Sequence, residues 1–249
     1  MSVTVLSSGS MRGVFGALHS DFERAAGHPV AVAYEAAHLA LARLRAGERV
    51  DVAILAAPAI EELIAVRVIE TGQSVEVARC AVGIAVRAGA PRPDVRTVKA
   101  FTRALLAARS IAYTESGASG VFFASLIERL GIADTVRAKA RTRPAGLIAE
   151  LVATGDAELA VQQIPELLAV QGVDVVGPLP AELDHAVVLV AGILKSSPQQ
   201  AAAKRLIDAL STGATARVMQ AHGLEPLLRE AQRSYTSPDF AGPTKEASS

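Results

Sequence analysis

The chain has no tryptophan and a single cysteine, and among its 249 residues there are only three tyrosines and six phenylalanines. One cysteine excludes any disulfide within the chain. Cys80 lies in the apolar run Val77-Ala78-Arg79-Cys80-Ala81-Val82, where a buried, inert thiol is expected. So few rings leave little on which a base or a sugar would stack, which speaks against nucleic acid and carbohydrate ligands. Excess charge is lacking too. With 25 basic residues against 25 acidic ones, neither a nucleic-acid surface nor an acidic tail is indicated. No apolar run approaches the roughly 20 residues of a membrane span. His19, His28, His185 and His222 have no companions at metal-ligand spacing, so no metal and no other cofactor is expected. There is no Gly-x-Ser-x-Gly turn and no Cys-His pair to suggest covalent catalysis. A basic n-region, an apolar stretch and a small-residue cleavage site are all missing from the start. The expected location is therefore cytoplasmic if Met1 is the natural first residue, and periplasmic if a signal peptide was removed.

What the chain does have is aliphatic bulk. Hydrophobic residues make up 51% and charged ones 20%, enough for one large domain or two lobes of about 100 to 150 residues each. The segment Val3-Thr4-Val5-Leu6-Ser7-Ser8-Gly9-Ser10-Met11 reads as a strand, a tight turn and a helix start. Met11, Val14, Phe15, Leu18 and Phe22 follow at helical spacing, and Ser10 reads as the N-cap. Further strands are expected at 30–34 and 50–55, each followed by a helix. An apolar strand over 81–86 precedes the strongest break, Gly89-Ala90-Pro91-Arg92-Pro93. Beyond it the alternation restarts: helix 98–107, strand 110–113, helix 121–130, strand 138–142, helix 147–154, strand 159–161, helix 164–168 and strand 173–176. A last strand over 186–193 leads to helices 199–210 and 214–221.

This order predicts an α/β protein of two doubly wound lobes joined by two crossover strands. Lobe 1 takes residues 1–82 and 187–228, lobe 2 takes 83–186, and a polar tail occupies 229–249. The ligand cleft belongs between the lobes, at the carboxyl ends of the strands. Closure on a ligand would then hinge at 80–82 and 185–188.

Candidate site residues follow from strand ends and helix starts. Ser8, Gly9 and Ser10 would hold an anion by unpaired amides and hydroxyls. The loop Glu115-Ser116-Gly117-Ala118-Ser119-Gly120 repeats that arrangement, with Ser119 as the second hydroxyl; it lacks the Lys-Ser/Thr pair of a nucleotide loop. Arg143 stands before Pro144-Ala145-Gly146 at an expected helix start, where a guanidinium would grip a carboxylate beside Ala145. Gln162 and Gln163 end a buried strand, and Gln163 would orient a ligand by neutral hydrogen bonds. His38 opens the second helix beside Glu35 and is the titratable group expected to face the cleft and carry a proton.

These landmarks resemble the type II periplasmic binding proteins, and among them the molybdate-binding proteins of ABC transporters, over about residues 3–227. The likeness rests on Val5-Leu6-Ser7-Ser8-Gly9-Ser10, on Leu41-Ala42-Arg43-Leu44-Arg45-Ala46-Gly47 with Val50-Asp51-Val52, on Gly117-Ala118-Ser119-Gly120, and on Ile193 leading into the last helices. Ser10 matches the first of two serines that donate to the oxyanion in that family. The second falls within Ala36-Ala37-His38, which has no hydroxyl, and the family's tyrosine is replaced by Gln163. Ala46-Gly47 ahead of Val50-Asp51, with Gln163 and Glu166, is similar to a branch of the fold that includes aconitate isomerase. That branch implies a proton shift on a di- or tricarboxylate, for which His38, by its position, is the expected catalytic residue. The molybdate branch implies an exported solute-binding protein with an ABC permease as partner. Either way the expected partner is a small anion, with no nucleic acid and no membrane insertion.

Overall fold

A computed structural model describes residues 1–183 and 185–227. The tail expected from residue 229 lies outside them, as does residue 228 at the expected end of lobe 1. The strands are β1 Val3–Ser7, β2 Val30–Tyr34, β3 Val52–Ala56, β4 Ile69–Arg87, β5 Ile111–Thr114, β6 Ala140–Arg143, β7 Leu159–Gln163, β8 Val173–Pro178, β9 Ala186–Leu194 and β10 Glu225–Pro226. Between them lie helices α1 Arg12–Ala26, α2 Ala37–Arg45, α3 Ala57–Ala65, α4 Val98–Ala107, α5 Ala118–Arg129, α6 Ala133–Arg137, α7 Glu150–Ala153, α8 Ile164–Leu168, α9 Gln200–Leu210 and α10 Gly213–Ala221.

The strand order is β2-β1-β3-β9-β4-β7-β5-β6, with β8 and β10 added on β4. The path turns on β4. Up to Ala81 it pairs antiparallel with β9, and from Val82 it pairs antiparallel with β7. Parallel pairing is kept for β1 with β2 and β3, and for β5 with β6 and β7. Each lobe is thus a wound sheet whose inner edge is antiparallel. The type II periplasmic-binding-protein architecture expected from the sequence is the one observed.

Strand periodicity sorts the aliphatic residues onto the two faces of each sheet. Val3 and Val5 of β1 join Phe15, Phe22 and Leu206 on one side, while Leu6 joins Leu55, Ile60 and Leu63 on the other. In the second lobe Val82, Ile84 and Val161 pack with Phe101 and Phe123, and Ala85 and Ala160 pack with Ile148 and Val152 behind them. The strand expected over 81–86 is the last stretch of a 19-residue β4. The opening stretch of β4 carries no apolar signal in the sequence, because Glu70-Thr71-Gly72-Gln73 is polar and exposed. The helix expected over 147–154 shrinks to α7. Gly146 (φ +100°) and Gly155 (φ +88°) bracket that stretch with left-handed turns.

Candidate functional site

Ser10 corrects the first expectation. Residues Gly9–Met11 form a single 3-10 turn, and the side chain that caps it is Ser8, which accepts the Ser10 N–H at 3.4 Å. Freed from capping, the Ser10 hydroxyl donates to Gln163 Oε1 at 2.6 Å. The turn and α1 form one wall of a cavity of about 310 Å³ between the lobes.

On the first-lobe wall, Ser8 and Gly9 follow β1, and Arg12 opens α1. The Arg12 guanidinium lies 4.1 Å from the centroid of the Tyr34 ring at the end of the neighbouring β2, a cation–π contact that holds it against the ring. Among the described residues no other Lys or Arg lines the cavity. Burial pushes the Tyr34 phenol up, partly offset by the Arg12 charge, so it stays neutral. Glu35 also lines the wall, accepting the Ala36 N–H at 3.0 Å and lying 3.4 Å from Arg43.

The second-lobe wall is built from strand ends. Gln162, the fourth residue of β7, accepts the Ile148 N–H at 3.0 Å and donates to the Gly146 carbonyl at 2.8 Å, which holds the loop containing Ala145 against the cavity. Thr114, the last residue of β5, lines the cavity and is 2% exposed. Its hydroxyl has no hydrogen-bond partner among the described residues. Leaving a buried donor unused costs about 1–3 kcal/mol, so the Thr114 hydroxyl is suited to a ligand. Glu166 stands in the first turn of α8 behind Pro165. Its Oε1 lies so close over Gly9 that a Cβ there would meet it at 2.6 Å.

Glu166 is the strongly perturbed carboxyl of the cleft. Burial pushes it from the ordinary 4.5 to about 7, against the opposing effects of a hydrogen bond with Gln162 and of the Arg12 charge. The same burial effect, with the nearby Glu166, pushes the Cys80 thiol up to about 12. A stability consequence follows. Below about pH 4.5 folded and unfolded chains both hold the Glu166 proton. Between there and about 7 the unfolded chain has released it and the native chain has not, so native stability falls as pH rises and levels off above 7. Glu166→Gln should remove that slope and be more stable than wild type at pH 8 by up to about 3 kcal/mol. Denaturant unfolding of both proteins at pH 5 and pH 8 checks this; parallel pH dependences would refute it.

Of the residues expected from the sequence, Ser8, Gly9, Ala145 and Gln163 line the cavity. Ser10 and Ser119 are buried at 1% exposure and do not line it. Ser119 sits inside the first turn of α5, one residue past the Ala118 that reaches the cavity. Arg143 ends β6 and pairs with Glu150 at 2.9 Å, because no helix begins beside it. His38 is exposed in the first turn of α2 and is not among the lining residues; α2 presents Ala36 and Ala37 instead. Arg12, Tyr34, Thr114 and Glu166 do not stand out as site residues in the sequence. Moving the cap two residues back, from Ser10 to Ser8, would have suggested Arg12, and Pro165 at a helix start would have placed Glu166 in a first turn. Among the described residues no group of three or more His, Cys, Asp or Glu is placed to hold a metal, and no helix is long and apolar enough to cross a membrane.

Two wound lobes joined through β4 and β9, with neutral donors and one guanidinium around a small cavity, define a cleft built for a small solute. Residues 3–225 match the family of bacterial extracellular solute-binding proteins, and the chain belongs to that family. It is 31% identical over 232 residues to aconitate isomerase from Pseudomonas sp, covering 91% of this chain and 88% of that one. Among solved structures, the periplasmic molybdate-binding protein of Azotobacter vinelandii superposes with a TM-score of 0.75 at 19% identity, covering 89% of this chain and 98% of that one. The sulfate-binding protein SubI from Mycobacterium tuberculosis H37Rv gives 0.74 at 14% identity, covering 94% and 89%.

Proposed function

We propose that the cleft binds a small di- or tricarboxylate and shifts its double bond by moving a proton between two carbons, as an aconitate-isomerase-like enzyme. The observation that carries this reading is Glu166, a carboxyl pushed up to about 7 in the wall of a cavity that holds one guanidinium. A general base works best when its pKa lies near the working pH. In the shift, a Glu166 carboxylate oxygen takes a proton from a carbon next to the double bond. The electron pair left on carbon delocalises through the alkene toward a substrate carboxylate, and Glu166 returns the proton at the far carbon. Composition is unchanged and no redox step occurs. Arg12, the Thr114 hydroxyl and the Gln163 amide would fix the carboxylates and hold the charge that grows on them, which is where preorganised donors act most strongly.

The 31% identity to aconitate isomerase supports the same reading. The alternative is a solute-binding protein that delivers molybdate or another small oxyanion to an ABC transporter, which family membership favours. Against it, the Ser10 hydroxyl needed for such an oxyanion is committed to Gln163.

The deciding experiment incubates the protein in deuterated water with trans-aconitate, cis-aconitate, citrate and tricarballylate and follows carbon-bound protons by NMR. Deuterium entering an aconitate at more than the background rate is expected. Tight binding of a tricarboxylate with neither deuterium exchange nor interconversion of cis- and trans-aconitate, or binding of molybdate in preference to every carboxylate, would overturn the isomerase reading. Arg12→Gln should weaken trans-aconitate binding about 10- to 100-fold, the worth of one charged hydrogen bond at about 1.5–3 kcal/mol. Titration calorimetry at pH 7 measures it, and an unchanged affinity would remove Arg12 from the site.

A further inference from the structure

Gln163 is tied down at one end only. Its Oε1 accepts from Ser10 Oγ at 2.6 Å and from Cys80 Sγ at 2.8 Å. A carboxamide oxygen has two lone pairs, so its accepting capacity is used. A thiol donates its hydrogen weakly but accepts more weakly still from an amide N–H. The Ser10 hydroxyl can donate or accept, so it is the thiol that selects the oxygen as the buried end of the amide. The thiol keeps its proton at any ordinary pH, since burial pushes it up to about 12. Its second contact, to the Val187 carbonyl at 3.6 Å, is longer. Ser10 and Cys80 are 1% and 2% exposed and line no portion of the cavity, whereas Gln163 does. Among the described residues Gln163 Nε2 has no protein acceptor.

We propose that Ser10 and Cys80 are positioning residues: by gripping Gln163 Oε1 they turn the amide nitrogen toward the cavity, as an N–H donor to the bound anion. The three residues come from three places, the first-lobe turn, the crossing strand β4 and the end of β7. The amide is thereby set relative to both lobes at once. This inference rests on the cleft's taking an anionic ligand, as proposed above. The serine after β1 then supports the ligand indirectly, through Gln163. The lone cysteine likewise has a task that needs only its S–H and no reactivity.

The test combines NMR of side-chain amides in ligand-free protein with calorimetric binding of trans-aconitate, in wild type, Ser10→Ala, Cys80→Ala, Cys80→Ser, Gln163→Ala and Ser10→Ala/Gln163→Ala. Loss of one NH2 pair in Gln163→Ala identifies the Gln163 signals. That pair should lie away from free glutamine in wild type, move toward it in Ser10→Ala and Cys80→Ala, and stay in place in Cys80→Ser, whose hydroxyl still donates. Binding should weaken about 3- to 10-fold in Ser10→Ala and in Cys80→Ala, and change less than about twofold in Cys80→Ser. In the Gln163→Ala background, Ser10→Ala should cost nothing further. An equal loss from Ser10→Ala with and without Gln163 would mean that Ser10 touches the ligand itself and would overturn the proposal, as would Gln163 signals indifferent to both alanines. Should Cys80→Ala fail to fold, Ser10→Ala and Cys80→Ser keep the comparison. Should wild type bind no trans-aconitate, the carboxylate reading falls, and the amide signals alone still decide the positioning of Gln163.

Discussion

Glu166→Gln is expected to lower proton exchange into the carboxylate substrate by about 100- to 10,000-fold, the usual worth of a positioned acid or base, while leaving binding intact or tighter. The amide keeps the shape of the side chain and loses only its capacity to take a proton. A neutral group over Gly9 also repels a bound anion less than a carboxylate does, so affinity and turnover should move in opposite directions. The free protein should need Glu166 ionised to act as base, so kcat/KM in wild type should rise through about pH 7 and flatten above it. That limb should be absent from whatever activity Glu166→Gln retains. His38→Asn supplies the contrast. The sequence makes His38 the proton carrier, but its side chain is exposed and off the cavity wall, so its replacement should leave both exchange and binding within a few-fold of wild type. Single-turnover deuterium exchange and calorimetry on the two variants separate the outcomes. A large loss with His38→Asn and little with Glu166→Gln would reverse the assignment and return the proton to the histidine.

The placement of these two residues, Glu166 on the cavity wall and His38 off it, shows where the sequence stops being readable. Local signals place the wound α/β order, because apolar runs, helical spacing and breaks such as Gly-Ala-Pro-Arg-Pro at 89–93 all act over a few neighbours. The β1 turn and the end of β7 are legible in the same way, and with them Ser8, Gly9 and Gln163. The perturbation of Glu166 is not a local property. It arises when α8 is laid on the first-lobe turn, so that a carboxyl 157 positions beyond Gly9 is desolvated against it, and nothing in the spacing of either segment announces that. Arg143 fails for the opposite reason. Its neighbourhood looks like a helix start, but the positive-φ turn at Gly146 delays the helix to Glu150, which then takes the guanidinium as an ion pair. Arg12 is hidden by a shift of capping from Ser10 to Ser8, a change of two residues that moves a charged side chain into the cavity.

The second large effect concerns stability, and it tests what the glycines of the second-lobe loop are for. Gly117-Ala118-Ser119-Gly120 reads as an anion-holding loop, yet Gly120 has a packing duty. A Cβ on Gly120 would fall 1.6 Å from the Thr114 carbonyl oxygen and 2.6 Å from its carbon, both backbone atoms that no rotamer change relieves. The glycine lets α5 approach the end of β5 closely enough for Phe123 to meet the Tyr113 ring edge-on at 5.1 Å. Gly120→Ala should therefore lift α5 from the strand and cost about 3 kcal/mol or more, at or above the upper end for overpacking, lowering Tm by about 10 °C. Gly117→Ala should behave differently. Its Cβ would meet the Thr114 hydroxyl at 2.6 Å, and that group can rotate, so the fold should lose less while ligand affinity falls with the displaced hydroxyl. Gly16→Ala is the control: the site is exposed, lies within α1 and has nothing within 4 Å of the added methyl. Helix propensity alone should make it more stable by about 0.5–1 kcal/mol. Thermal and denaturant unfolding of the three variants give the comparison. If Gly120→Ala melts where wild type does, the close approach of α5 to β5 is wrong, and with it the placement of the Thr114 hydroxyl in the cavity wall.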